Sequence, residues 1–211
     1  MIETVVKGFI IGLLVSSPMG PVNMLCVQRT LNKGRKHGFA TGMGAMLSDL
    51  TYATITMFGL SFVEEFLQKH DTVFQFVGSV LLFVFGFFVF RTNPLKEWTP
   101  QTKTENSSCL RDFVSSFFIT FSNVAIILVF ITLYARFTFM PVNEGVAHWV
   151  AALIAIALGA FSWWFFISWF IARLRKHFNR QGLVILNRIV GSILMIISVV
   201  GVLFSMFGIK L

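Results

Sequence analysis

A proline-rich interruption in the first apolar stretch of the chain holds the residues best suited to bind a ligand. Residues 16–23 read S-S-P-M-G-P-V-N, and the two prolines and the glycine prevent a continuous helix here. A helix that starts after Pro21 would direct free N–H groups and the positive end of its dipole at the break, where they suit a carboxylate. The carbonyls that end the preceding half-helix suit a cation. The alternative is a proline kink without a ligand. The predicted substrate-binding residues of the break are Ser17, Pro18, Gly20, Pro21 and Asn23.

Asp49 is the one acid within a long apolar stretch. Placing a carboxylate in the middle of a membrane costs roughly 2.5–3.5 kcal/mol, so such a residue usually faces the bundle interior and has a function. Because burial disfavours the charged form, a proton can bind and leave near neutral pH. We predict that Asp49 carries a coupled proton or pairs with a substrate ammonium. The alternative is a structural acid bonded to the backbone that the break leaves free.

A polar stripe of Ser116, Thr120 and Asn123 follows helical spacing in the fourth apolar stretch. This pattern predicts one wall of a vestibule, with Thr120 and Asn123 as further substrate-binding residues. The alternative is hydrogen bonding between helices, which contributes about 0.6 kcal/mol per contact.

The elements that must position these residues are transmembrane helices. Hydrophobic residues make up 56% of the 211 residues and charged residues only 12%, with a mean hydropathy of +0.80. A soluble domain usually has about twice that share of charge. A span needs about 20 apolar residues, and six stretches qualify. They are residues 5–27, 38–62, 73–90, 113–135, 148–172 and 189–209. We therefore predict an all-α integral membrane protein of six transmembrane helices, with the first helix broken at mid-membrane.

The basic residues predict the orientation, because Lys and Arg are enriched on the cytoplasmic side. Thirteen of the 17 basic residues lie in the first, third and fifth gaps between spans. This places both termini outside and the three basic gaps in the cytoplasm. The net charge of +8 therefore reflects topology, and we expect no nucleic-acid partner.

Six spans form two groups of three that enter the membrane from opposite sides. This organisation predicts a 3+3 inverted-topology repeat, in which many secondary transporters build a midplane site. The first three-helix half is 1–91, the cytoplasmic linker 92–110 and the second half 111–211. Small-residue pairs such as Gly8 and Gly12 permit close helix packing within one protomer or between two, so a homodimer is one alternative.

Several chemistries lack the residues they need. Cys26 and Cys109 are far apart in sequence and are expected to be free thiols on or near the reducing side. The four histidines fall at span ends or in gaps, so no metal site or Ser–His pair forms at membrane depth. We expect no cofactor and no enzymatic activity.

Three motifs resemble the LysE-type amino-acid exporters (lysine, homoserine and threonine exporters). They are S-P-M-G-P-V-N-M-L at 17–25, R-T-L-N-K-G-R-K at 29–36 and L-S-D-L at 47–50. Similarity extends to W-W-F-F-I-S-W-F-I-A-R-L-R at 163–175 and to L-N-R-I-V-G at 186–191. The resemblance implies an exporter of amino acids or related small solutes in the bacterial cytoplasmic membrane, driven by the proton gradient.

One departure from the family pattern concerns the fourth span. Members usually have Asn-Pro there, whereas Val124 follows Asn123 in this chain. This departure favours a continuous helix in the fourth span. A non-transporting membrane scaffold or partner subunit, and a passive channel, are the alternative functions.

Overall fold

The computed structural model describes residues 1–61, 71–93, 108–139, 141–142, 144–174 and 181–206. Every regular element in these ranges is a helix. The helices are α1 (Ile2–Ser16), α2 (Pro21–Lys33), α3 (Arg35–Ser61), α4 (Asp71–Arg91), α5 (Cys109–Phe121), α6 (Ala125–Arg136), α7 (Val146–Leu174) and α8 (Gln181–Met206). The all-α prediction is confirmed for the described part of the chain. Most of the proposed linker, residues 94–107, lies outside the described residues.

The predicted break in the first span separates α1 from α2, which meet at an angle of 75°. Gly20 is extended, with φ −88° and ψ −173°, and Pro21 is the first residue of α2. Proline is favoured at this position because its missing N–H has no partner inside the helix and its φ is already helical. The short motif therefore both ends one helix and begins the next.

The fourth span is also broken, although it contains no proline. Helices α5 and α6 meet at 72° across residues 122–124. The Tyr52 hydroxyl on α3 donates a hydrogen bond to the carbonyl of Phe121, and the two rings stack with centroids 5.5 Å apart. In a continuous helix that carbonyl would accept from residue 125. The expectation of a continuous fourth span is wrong, because a side chain from another helix satisfies the backbone at the break.

Length and apolar composition identify membrane-crossing helices only in part. Val146–Arg173 and Gln181–Leu203 are each long and apolar enough to cross a membrane, and the number rises to four if each bent pair is one span. Helix α3 contains Asp49 and many polar residues, and the apolar part of α4 described here is the shorter segment Gln75–Arg91. The six-span arrangement remains a prediction.

Close helix contacts hold these elements around the interior. Helix α1 packs on α7, α3 on α5, and α4 on α8. A Cβ at Gly12 would overlap the carbonyl of Ile156, and one at Gly44 would overlap that of Phe113. Only glycine allows the backbones to approach this closely. Gly8 and Gly12 therefore contribute to packing within the protomer.

A buried ion-pair cluster joins α2, α3 and α5 at one end of the bundle. Asp112 is 1% exposed, and its Oδ1 lies 3.1 Å from Arg29 Nε and 3.6 Å from Lys33 Nζ. Its Oδ2 lies 2.6 Å from His37 Nδ1. Arg29 also donates to the Ser115 hydroxyl at 2.8 Å. The sequence marks Arg29 as a cytoplasmic basic residue and as the start of the R-T-L-N-K-G-R-K motif, but it does not predict this buried ion pair.

Candidate functional site

The two helix breaks border one cavity of about 530 Å³. This volume lies in the usual range of small-molecule sites. Pro18, Gly20 and Pro21 line it from the first break, and Asn123 lines it from the second. Helices α3, α4, α6, α7 and α8 contribute the remaining walls, which are mostly apolar. Two segments that leave the helical path therefore meet at a single concave site.

Asp49 lies on α3 and lines this cavity. It is 5% exposed, and the Ser16 hydroxyl donates to its Oδ2 at 3.5 Å, which is the long limit for a hydrogen bond. No basic side chain in the described part of the chain forms an ion pair with it. Because a buried carboxylate needs a partner, this position can accept either a cationic group or a proton.

Asn23 closes the first break from within. Its Nδ2 donates to the carbonyls of Ser16 and Pro18, both at 2.9 Å, and its Oδ1 accepts from Trp163 Nε1 at 3.1 Å. These bonds satisfy backbone groups that the break would leave unpaired at membrane depth. Asn23 lines the cavity, but its side-chain polar atoms are bonded to protein partners, so the side chain holds the shape of the break.

Ser17 does not reach the cavity with the other predicted residues. Its hydroxyl donates to the carbonyl of Leu14 at 3.1 Å, and it is absent from the cavity lining. Gly20, by contrast, borders open space, because a Cβ placed there would meet nothing within 4 Å. A ligand can therefore approach the backbone at Gly20 closely.

The start of α2 borders this space. Helix α2 has no side-chain cap, and the first N–H groups of a helix have no partner inside it. Val22 and Asn23 carry the first such groups after Pro21, and both residues line the cavity. The geometry predicted from the proline motif is therefore available for an anionic group.

The opposite wall offers polar atoms that are not yet bonded. Thr120 Oγ1 and Trp164 Nε1 are buried without a hydrogen-bond partner, and both residues line the cavity with Asn123. Ser116 differs, because its hydroxyl donates to the carbonyl of Thr41 at 2.6 Å. The structure thus divides the polar stripe into two cavity residues and one residue that joins α5 to α3.

Asn187 is a cavity residue that sequence reasoning missed. Its Oδ1 accepts from the Met19 N–H at 3.0 Å, and its Nδ2 donates to the carbonyls of Val89 at 2.6 Å and Thr92 at 3.0 Å. It therefore fixes the first break to the end of α4. The predicted sixth span began at residue 189, so Asn187 fell in a gap, although it belongs to the L-N-R-I-V-G segment that carries part of the resemblance.

Comparison with known proteins gives one family. The family model described as LysE type translocator matches residues 13–211. The chain is 31% identical over 132 residues to "Putative amino acid efflux protein YcgF" of Bacillus subtilis (strain 168), a match covering 59% of each protein. It is 26% identical over 194 residues to "Uncharacterized membrane protein YahN" of Escherichia coli (strain K12), covering 87% of this chain and 83% of that protein. The YcgF match thus spans less than two thirds of that relative. No solved structure matches the chain significantly.

Proposed function

We propose that this chain, which belongs to the LysE type translocator family, exports an amino acid or related small zwitterion from the bacterial cytoplasm in exchange for protons. The name of the relative YcgF, "Putative amino acid efflux protein", supports this solute class. The observation that carries the proposal is a buried carboxylate, Asp49, in the cavity that both helix breaks line.

The chemistry of the cavity fits a zwitterion. The free N–H groups at the start of α2 suit the carboxylate of the solute, and Asp49 suits its ammonium. The carbonyls of Ser16 and Pro18 already accept from Asn23, which favours Asp49 over these carbonyls as the ammonium partner. Thr120 and Asn123 on the opposite wall supply further polar contacts.

Proton exchange at Asp49 supplies the coupling. When Asp49 accepts a proton from the outer side, it loses its charge and its attraction for the ammonium group. The solute then leaves outward while the proton continues inward. The coupling needs no second titratable residue in the cavity.

We propose that residues 1–91 and 111–211 form an inverted repeat. In this repeat α1 and α2 of the first half correspond to α5 and α6 of the second half, α3 corresponds to α7, and α4 corresponds to α8. The contact of α1 with α7 should then have a counterpart between α5 and α3, and both contacts occur. The bends of 75° and 72° at equivalent positions also support a half-turn axis through the cavity.

The proposed topology, with both termini outside, can be tested at a native thiol. Cys109 is exposed at the start of α5, whereas Cys26 is buried. A membrane-impermeant maleimide is expected to label Cys109 only after cells are permeabilised, because this end of α5 is cytoplasmic. A Cys109→Ser variant reports any labelling of Cys26. Labelling of Cys109 in intact cells would reverse the orientation.

Purified protein in proteoliposomes tests the function. A panel of amino acids is added under an imposed pH gradient, and an enclosed dye reports proton movement. At least one amino acid is expected to drive proton flux well above that of empty vesicles. Solute movement without proton movement would identify a passive channel, and movement of neither would support a scaffold role.

A further inference from the structure

Arg136 stands apart from the other buried basic residue of the described chain. Four charged residues are buried there: Arg29, Asp49, Asp112 and Arg136. Arg29 and Asp112 pair with each other. Arg136 is 3% exposed, its Nε has no hydrogen-bond partner, and no acid among the described residues forms an ion pair with it. A buried cation without a counter-ion is costly, so its retention indicates a ligand.

The surroundings of the guanidinium form a pocket for that group. It lies over the Phe137 ring at 5.7 Å from the ring centroid, within the range of a cation–π contact. On the other side, Gly201 of α8 leaves space for the guanidinium, because a Cβ at this position would overlap Arg136 Nε. Ser79 Oγ lies beside the same point. The guanidinium is therefore held between α4, α6 and α8.

The hydrogen bonds of the polar neighbours join them to one another and not to Arg136 Nε. The Ser79 hydroxyl donates to the Gln75 carbonyl at 2.7 Å, and the Ser198 hydroxyl donates to the Ser79 carbonyl. Gln75 Nε2 donates to the Thr138 hydroxyl at 2.9 Å. Arg136 Nε therefore remains a donor without a partner, which an anion can satisfy.

Arg136 continues one face of α6 beyond the cavity. Leu128 and Thr132 line the cavity, and Arg136 follows Thr132 by one helical turn. It lies roughly 17 Å along the helix from Ala125 at the second break. Arg136 is not among the residues that line the cavity with Asp49, so an exported solute would meet the two charges one after the other. In the proposed topology this end of α6 is the outer end.

We propose that Arg136 forms a second binding site, for the carboxylate of the exported solute, on the outer side of the cavity. The inference rests on the proposed export function for its ligand. Arginine suits this task because its planar fork of donors matches a carboxylate. A solute released from Asp49 would be held here by its carboxylate before it leaves.

Acetate is a simple probe of this site. Thermal unfolding of the detergent-solubilised protein is measured in sodium acetate and in sodium chloride at equal ionic strength. Binding to the folded state raises its stability, so acetate is expected to raise the midpoint by roughly 2 °C or more above chloride. Arg136→Gln should reduce this difference to the part that arises from acetate at the start of α2, whereas Asp49→Asn should keep it in full.

A second variant tests the same site in case Arg136→Gln does not fold. Gly201→Ala keeps the guanidinium but places a Cβ where Arg136 Nε now lies, and it is expected to reduce the acetate difference in the same way. Gly182→Ala on the same helix is the control, because a Cβ there meets nothing within 4 Å. Equal midpoints in acetate and chloride for the wild type would overturn the carboxylate site, as would an acetate difference that is undiminished in Arg136→Gln or, if that variant does not fold, in Gly201→Ala.

Transport measurements distinguish a failure of this inference from a failure of the proposed function. In oriented proteoliposomes, Arg136→Gln should raise the half-saturating solute concentration on the outer side about tenfold, corresponding to roughly 1.4 kcal/mol, and leave the inner value unchanged. An equal change on both sides would indicate a structural role and contradict the proposal. If no amino acid moves protons through the wild type, the proposed function fails, while the acetate measurement still decides whether Arg136 binds a carboxylate.

Discussion

Replacing Asp49 with asparagine is expected to reduce proton-driven export to the level of empty vesicles while the protein stays folded. Asparagine has nearly the same size and remains neutral, so it resembles the protonated carboxyl group at every pH. It cannot exchange a proton, and it loses the ionic attraction for an ammonium group. The measurement is solute flux in proteoliposomes with and without an imposed pH gradient.

The same variant is expected to match or exceed the wild type in stability. Asp49 is buried, with only a long hydrogen bond from Ser16, and burying a charge without a counter-ion costs free energy. Removing that charge therefore removes a cost. A thermal midpoint equal to or above that of the wild type, together with lost export, would distinguish a functional acid from a structural one.

Thr120→Val is the matched control for Asp49. Thr120 lines the same cavity and is 4% exposed, and valine has nearly the same shape without the hydroxyl. This variant should weaken solute binding but keep the pH dependence of export, because it removes no titratable group. If Asp49→Asn instead transports with the wild-type rate and pH dependence, the coupling residue lies elsewhere and Asp49 is structural.

Asp112→Asn is expected to destabilise the protein by about 3–5 kcal/mol, the typical cost of breaking a buried ion pair by removing one partner. Asp112 is 1% exposed and Arg29 is 8% exposed, so the guanidinium would remain buried without its counter-ion. Chemical unfolding in detergent, or the folded yield after purification, measures the effect.

Two further variants test whether the cost comes from the buried charge. The double variant Arg29→Met, Asp112→Leu should be more stable than Asp112→Asn alone, because it leaves neither charge behind. Glu144→Gln is the exposed control. Glu144 lies 3.3 Å from His148 and its side chain is 55% exposed, so its loss should cost no more than about 1 kcal/mol. Similar losses in Asp112→Asn and Glu144→Gln would show that burial does not set the strength of the Asp112 cluster.

The second break shows a limit of local reasoning. A proline removes a backbone donor wherever it stands, so the first break could be predicted from the eight residues around Pro18 and Pro21. The fourth span has no such residue. Its break depends on Tyr52, which is 69 residues away from Phe121 in the sequence and replaces the lost partner of its carbonyl. No pattern in the residues around Phe121 predicts a hydrogen bond from a residue so distant in the sequence.

Some cavity residues could be identified from the sequence alone, whereas the roles of others depend on the tertiary structure. Asp49 could be identified because a lone acid in an apolar stretch is expensive, whatever surrounds it. The roles of Asn23 and Asn187 depend on contacts across 140 and 168 residues, with Trp163 and with the N–H of Met19. The sequence predicts Asn23 as a ligand and gives no role to Asn187, but in the tertiary structure the side chains of both hold the break.

The sequence by itself determined the membrane class, the family resemblance and the first helix break, and it predicted a functional role for Asp49. Each of these follows from local composition or from a residue whose burial is costly in any context. The tertiary structure decided that both breaks border one cavity, that Ser17 lies apart from it, and that Arg29 and Asp112 are buried partners. It also decided that Arg136 is buried without an ionic partner among the described residues. These properties depend on which helices pack together, and residues distant in the sequence determine that packing.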